Sequence, residues 1–170
     1  MVGPVVACVT LGFSAAVGFD WGNQALSDLG HAVQSPVAPV FNFGLLLSGF
    51  LITVYSATVF QKHAPYTSFF LLISGFMVQL VAAFDEVYGA LHYGVAVAHF
   101  VMLTVTSTVY IVEKRSRLAS ATLAITLSFW LVYSTGIYPL GIAVPEMASK
   151  LVMAWVVYSA YKIYNLPPTN

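Results

Sequence analysis

The chain has 170 residues, of which 59% are hydrophobic, 15% aromatic and only 7% charged. Soluble domains carry about 25% charged residues, so this composition excludes an ordinary soluble protein. The formal net charge is zero, which offers no basic surface for nucleic acid, and the single cysteine, Cys8, excludes an internal disulfide.

Apolar runs long enough to cross a bilayer recur along the whole sequence. A spanning helix needs about 20 mostly apolar residues, because hydrocarbon tolerates no unpaired backbone amide. We predict one all-α domain, a bundle of six transmembrane helices at about residues 2–19, 38–60, 66–84, 90–112, 118–137 and 145–164. We expect the first run to be a retained helix rather than a cleaved signal peptide, because no basic residue precedes it.

One long polar interval separates the first two predicted helices, at residues 20–42. It contains the compact motif Ser-Asp-Leu-Gly at residues 27–30, followed by His31. A polar stretch of this length between spans cannot lie in lipid. We predict that it folds over, or dips into, the outer end of the bundle and helps to close a polar pocket there.

The charged residues predict the orientation of the bundle. Five of the six basic residues fall at alternate connections and at the C-terminal end: Lys62, Lys114, Arg115, Arg117 and Lys162. Five acidic residues fall on the other side: Asp20, Asp28, Asp85, Glu86 and Glu146. Because basic connections stay cytoplasmic, we expect a multi-pass protein of the cell membrane with both termini in the cytoplasm and the polar interval outside.

Three neighbouring side chains of the polar interval are candidate functional groups. Asp28 and His31 share a face if the segment is helical, and a carboxylate that orients an imidazole suits acid–base catalysis or metal binding. The alternative interpretation is structural: Ser27 or Asp28 caps a short helix, and Gly30 permits a turn.

Two further histidines lie on one face of the fourth predicted helix. His92 and His99 are seven residues apart, which corresponds to about 10 Å along a helix axis. We predict that His92 lines the pocket, with Asp28 and either His31 or His92 as the catalytic pair, whereas His99 binds a ligand or bonds a neighbouring helix. A divalent metal held by some of Asp28, His31, Asp85 and His92 is a further hypothesis, and a haem would also need His31.

Glu146 and Lys150 have the spacing and order of a favourable helical ion pair. As a structural pair, each makes the other tolerable near the membrane interface. As a functional pair, Lys150 would hold a lipid phosphate or carboxylate. The candidate ligand-binding residues are therefore Ser27, Asn42, His99, Glu146 and Lys150.

Several short stretches resemble a known family. Residues 25–30 (ALSDLG), residues 40–45 (VFNFGL), the pairs Asp85-Glu86 and Leu91-His92, and Glu146 resemble the archaeal and bacterial membrane family called domain of unknown function 998. That family often has an arginine after the late glutamate, where this chain has Met147. The Leu-Ser-Asp-Leu-Gly stretch is more distantly similar to a motif of the Frag1/DRAM/Sfk1 membrane proteins, which are associated with lipid handling. Neither resemblance implies a reaction.

Our leading hypothesis is an extracytoplasmic pocket that binds a lipid or another amphiphile, with hydrolysis or transfer as its enzymatic version. The runner-up is a non-catalytic small subunit or scaffold of a larger membrane complex, with protein partners in the membrane. A carrier is disfavoured, because the polar groups gather at the outer end whereas carriers place their sites near the midplane.

Overall fold

The computed structural model describes residues 18–165, and the regular structure in that range is helical. Four helices are long and apolar enough to cross a membrane: Ala38–His63, Pro65–Ala83, Ala90–Lys114 and Arg117–Thr135. We label them α1 to α4 in that order. Their ends agree to within three residues with four of the predicted spans, which are thereby confirmed as helices. The first predicted span, residues 2–19, lies almost wholly outside the described residues.

The winding of two helical segments departs from a regular α-helix. The first, α1, is α-helical over Ala38–Tyr55 and passes through a π-helical turn, Ser56–Phe60, before its last turn. The last segment of the chain is built of α5 (Ala143–Ser149), a 3₁₀ turn (Lys150–Val152) and α6 (Met153–Tyr164). The predicted sixth helix is therefore present as an interrupted one, starting two residues earlier than expected.

Two glycines bring α1 and α2 into backbone contact. A Cβ atom on Gly49 would lie 2.5 Å from the carbonyl oxygen of Gly75, and one on Gly75 would lie 2.9 Å from that of Gly49. Real side chains do not approach a backbone oxygen so closely. Small residues at a crossing are the usual way for helices in membranes to pack, because dispersion between close backbones replaces the hydrophobic driving force.

At one end of the bundle, Glu113 near the end of α3 caps the start of α2. Its carboxylate accepts hydrogen bonds from the backbone amides of Tyr66 and Thr67 and from the Thr67 hydroxyl. The first amides of a helix have no partner within the helix, and a negative charge there is further favoured by the helix dipole. Behind this cap the Tyr110 and Trp155 rings stack with their centroids 4.2 Å apart.

The opposite end, which we call the cap end, is covered by residues 20–37, the cap segment. A 3₁₀ helix, Leu26–Gly30, packs here against the 3₁₀ turn Glu86–Tyr88 and against α5. The approach is close enough that a Cβ on Gly141 would collide with the carbonyl oxygen of Trp21. The cap segment therefore lies on the same end as the 3₁₀ turn that carries Glu86 and the start of α5, which carries Glu146.

Candidate functional site

The cap segment is fastened to the bundle by two hydrogen bonds to glutamates. The backbone amide of Leu26 donates to Oε2 of Glu146 over 2.7 Å, and the Ser27 hydroxyl donates to Oε1 of Glu86 over 3.0 Å. The partners are 120 and 59 residues apart in the sequence. Leu26 and Glu146 are both buried, so the Glu146 carboxylate supplies an acceptor where water cannot.

Asp28 and Glu86 form a carboxyl pair under the cap segment. Oδ2 of Asp28 accepts the Ala25 amide over 3.0 Å, so Asp28 caps its own 3₁₀ helix, and its carboxyl group also lies within hydrogen-bonding reach of Glu86. Oε2 of Glu86 is buried and finds no N–H or hydroxyl donor among residues 18–165. Burial and the adjacent Asp28 carboxyl raise the pKa of Glu86 from 4.5 to about 7. A proton shared between the two carboxyl groups satisfies both.

This carboxyl pair predicts a specific pH dependence. Because the pKa of Glu86 is higher in the folded chain, folding binds a proton, and stability falls as the pH rises from about 4.5 to about 7. We expect Glu86→Gln to remove this loss, because an amide can donate to Asp28 without a proton from solution. After allowance for partial exposure the gain at pH 8 is about 1 kcal/mol, or about 2–4 °C in Tm.

The measurement is thermal unfolding of both proteins in detergent at pH 5 and pH 8. Asp20→Asn, a change at an exposed acid of the cap segment, is the matched control and should leave the pH profile between 5 and 8 unchanged. A Tm difference between Glu86→Gln and the unmodified chain that does not grow from pH 5 to pH 8 would contradict the shared proton.

The His31 side chain is hydrogen-bonded within its own turn. Nδ1 of His31 accepts the amides of Val33 and Gln34, each over 3.3 Å, and so stabilises its own turn. No hydrogen bond joins the Asp28 and His31 side chains among residues 18–165, and their pairing stays a prediction. The 3₁₀ helix ends at Gly30, and the backbone of His31 is extended.

His92 is buried at the cap end and lines a cavity inside the bundle. Its Nδ1 lies 2.7 Å from the carbonyl oxygen of Phe84. A carbonyl only accepts, so Nδ1 carries the proton of this bond, and in the neutral ring Nε2 keeps its lone pair. His92 is thus the imidazole at this end whose second nitrogen is available to a ligand.

Two other predicted residues support the cap segment. Asn42 of α1 donates from its side-chain amide to the carbonyl oxygen of Gly30 over 2.8 Å. A Cβ on Gly30 would lie 2.5 Å from Oδ1 of Asn42, so this glycine serves a close approach rather than the turn we predicted. Oδ1 of Asp85 accepts the Val87 amide over 3.0 Å and caps the 3₁₀ turn that carries Glu86.

His99 and Lys150 lie deeper in the bundle than His92 and Glu146. The His99 side chain is 5% exposed, and its Nδ1 has no hydrogen-bond partner among residues 18–165. The Lys150 ammonium lies over the Phe100 ring, 5.8 Å from the centroid, within the range of a cation–π contact. Ser149, the preceding residue, accepts Nε1–H of Trp130 over 3.0 Å and thereby ties α5 to α4.

The cavity that connects these groups has a volume of about 410 Å³. Polar side chains line it at the cap end: Ser27, Asn42, Asp85, His92 and Glu146. His99 and Lys150 line its middle, and below them its walls are apolar, with Ile52, Leu103 and Val157 contributed by three different helices. The cavity is therefore polar from the cap segment to the level of Lys150 and apolar deeper in the bundle.

The candidate metal set is not assembled within residues 18–165. No three His, Cys, Asp or Glu side chains of that range converge closely enough to hold a metal ion. His31 and Asp85 bind local backbone amides, whereas His92 bonds a carbonyl oxygen. Nδ1 of His31 accepts two amides, which places the proton of the neutral ring on Nε2, the nitrogen that would otherwise be free to bind a haem iron. These side chains therefore serve as hydrogen-bonding groups in the described part of the chain.

We did not include Glu86 among the candidate site residues, although it accepts from the cap segment and touches Asp28. The available signal was the acidic pair Asp85-Glu86 directly after an apolar run. Which of the two faces inward depends on the 3₁₀ turn after Asp85, and no local pattern predicts that turn.

Four helices suited to a bilayer, joined by short connections, define this chain as an all-helical protein of the multi-pass membrane class. Comparisons of the chain with protein-family models, with curated proteins and with solved structures found no match. The chemistry of the cavity is therefore the basis on which a function can be assigned.

Proposed function

We propose that this chain is a six-helix protein of the cell membrane, with both termini in the cytoplasm, that binds a lipid or another amphiphile in its capped cavity. The observation that carries the proposal is the division of one continuous cavity into a polar end and an apolar remainder. Its volume of about 410 Å³ lies within the range of about 300–1,000 Å³ typical of ligand sites. An amphiphile matches such a cavity along its whole length.

Two features support the membrane arrangement within this proposal. The last helical segment, from Ala143 to Tyr164, has 22 residues and would be about 33 Å long, enough to cross the hydrocarbon core. The basic residues near the ends of α1, α3 and α6 lie at the end opposite the cap segment, as expected if that end is cytoplasmic. Kinship with the family called domain of unknown function 998 stays a prediction from the short stretches that resemble it.

Hydrolysis or transfer would require an acid–base group that reaches the ligand. The Asp28 carboxyl group shares a proton with that of Glu86 and does not line the cavity. His92 lines the cavity, and its Nε2 is available to a ligand. We therefore propose binding as the function and assign to His92 any proton transfer that accompanies it.

Filling the cavity tests the proposal. Ala96 of α3 lines the cavity, whereas Ala98, two residues on, is exposed on the surface of the same helix. We expect Ala96→Phe to weaken binding of a single-chain lysolipid about tenfold or more, because the ring occupies the space of the chain. Ala98→Phe should bind like the unmodified chain.

The measurement is lysolipid affinity by native mass spectrometry of the protein released from detergent. Equal affinity of both variants and the unmodified chain would overturn the proposal and favour the alternative, a scaffold subunit whose cavity takes no ligand.

A further inference from the structure

The charged side chains follow a fixed order along the cavity. Asp85 lines the cap end of the cavity, as does Glu146, which lies in the first turn of α5. Lys150 lies one helical turn deeper than Glu146, about 6 Å further from the cap segment, and His99 lies about 10 Å deeper than His92. From the cap end inward, a ligand therefore meets carboxylates first and a cation with an imidazole second.

Below the level of Lys150 the cavity wall is apolar. The residues that line it there belong to the inner parts of α1, α3 and α6: Ile52, Leu103, Met153, Ala154 and Val157. From the cap end inward, the cavity wall is thus first acidic, then basic and finally apolar. The arrangement is directional, so it favours one orientation of an elongated ligand in the cavity.

At the depth of Lys150, a buried ring nitrogen of His99 lacks a hydrogen-bond partner within the described residues. His99 is 95% buried, lines the cavity, and has an Nδ1 atom without a partner among residues 18–165. Buried polar atoms in native proteins are nearly always paired, so the unpaired Nδ1 marks a hydrogen-bonding requirement beside the cavity that the described residues do not meet. The Lys150 ammonium has only donors to offer, and the Phe100 ring beneath it supplies no oxygen acceptor.

The carboxylates at the cap end each keep an oxygen for a ligand. Oδ1 of Asp85 is engaged by the Val87 amide and Oε2 of Glu146 by the Leu26 amide. A carboxylate has about four lone-pair sites on two oxygens, so Oδ2 and Oε1 can accept from a further donor.

Resting on the proposed function, we propose that the ligand is a zwitterionic single-chain amphiphile with a definite orientation. Its ammonium group lies between Asp85 and Glu146, its phosphate group accepts from Lys150 and His99, and its hydrocarbon chain occupies the apolar part of the cavity. The order ammonium, phosphate, chain is that of lysophospholipids with an ethanolamine or choline head group, and it matches the order of the walls from the cap end inward.

The test uses the full chain in detergent and four compounds. Lysophosphatidylethanolamine carries both charges, lysophosphatidic acid lacks the ammonium, monoacylglycerol lacks both charges, and phosphoethanolamine lacks the chain. We expect lysophosphatidylethanolamine to bind about tenfold more tightly than lysophosphatidic acid and monoacylglycerol, and phosphoethanolamine not to bind measurably, because opposite charges at both levels and a filled apolar cavity act together.

Two substitutions separate the two levels. Lys150→Gln should weaken the binding of lysophosphatidylethanolamine about tenfold and leave the affinity for monoacylglycerol unchanged. Glu146→Gln should weaken the binding of lysophosphatidylethanolamine and of no other compound. Its side-chain amide oxygen still accepts from Leu26, so only the negative charge is lost. Lys162→Gln is the matched control: its ammonium lies over the Tyr158 ring at 5.7 Å, a contact like that of Lys150, but it does not line the cavity.

The outcomes distinguish this inference from the proposed function. Equal affinities for the three chain-bearing compounds in the unmodified chain, a measurement that needs no variant, would overturn the inference and leave amphiphile binding intact. Loss of monoacylglycerol binding in Lys150→Gln would also overturn it, since the effect would then not depend on the phosphate. Phosphoethanolamine binding as tightly as the lysolipid would assign the site to a soluble phosphate. No binding of any chain-bearing compound would overturn the proposed function itself.

Discussion

Gly49→Val should destabilise the bundle by about 3 kcal/mol or more, the largest effect we expect from a single substitution. A Cβ at this position would lie 2.5 Å from the backbone oxygen of Gly75 and 2.7 Å from Cγ of Gln79. The first obstacle is backbone and cannot rotate away, so α1 and α2 must separate along their contact.

Gly94→Val on α3 is the control, because a Cβ there meets no atom within 4 Å among the described residues. Unfolding of both variants in mixed micelles with increasing sodium dodecyl sulfate, followed by circular dichroism, measures the difference. Equal midpoints for the two variants would show that α1 and α2 do not cross at Gly49.

Glu146→Ala should loosen the cap segment at Leu26, with the effect concentrated at that amide. The Leu26 N–H loses its 2.7 Å acceptor in a buried position, and a hydrogen bond to a charged group contributes about 2 kcal/mol. Hydrogen exchange at the Leu26 amide should therefore accelerate about 30-fold. The Asp28 amide, which bonds the Ala25 carbonyl within the 3₁₀ helix, should change less.

Glu146→Gln distinguishes the acceptor from the charge. Its side-chain oxygen can still accept from Leu26, so exchange there should change by less than about threefold. Hydrogen exchange resolved by residue in detergent gives both values. Unchanged exchange at Leu26 in Glu146→Ala would rule out the hydrogen bond as the fastening of the cap segment.

The helices were predictable because the signals that start and end them are local. Proline occupies the first turn of both α1 and α2, where no amide partner is lost. Gly136 ends α4 in the left-handed conformation with φ of 63°, as glycine readily does. The break at Lys150–Val152 has no such signal, since neither proline nor glycine occurs there, and it was not predicted.

The site was only partly predictable, because its contacts depend on how an aperiodic segment settles on the bundle. Glu146 was identified from its place at a helix start, whereas its bond to Leu26 follows from the path of the cap segment. Asp28 was identified as well, but its contact with Glu86 was not. The 3₁₀ helix stops at Gly30, one residue before His31.

The fastening of the cap segment has a consequence for biosynthesis. Residue 26 leaves the ribosome 120 residues before the glutamate that holds its amide. The Leu26 amide therefore gains its acceptor only after the four membrane-suited helices that lie between the two residues have been made. A chain cut short before residue 146 would keep the bond from Ser27 to Glu86 but would lack the buried acceptor of the Leu26 amide.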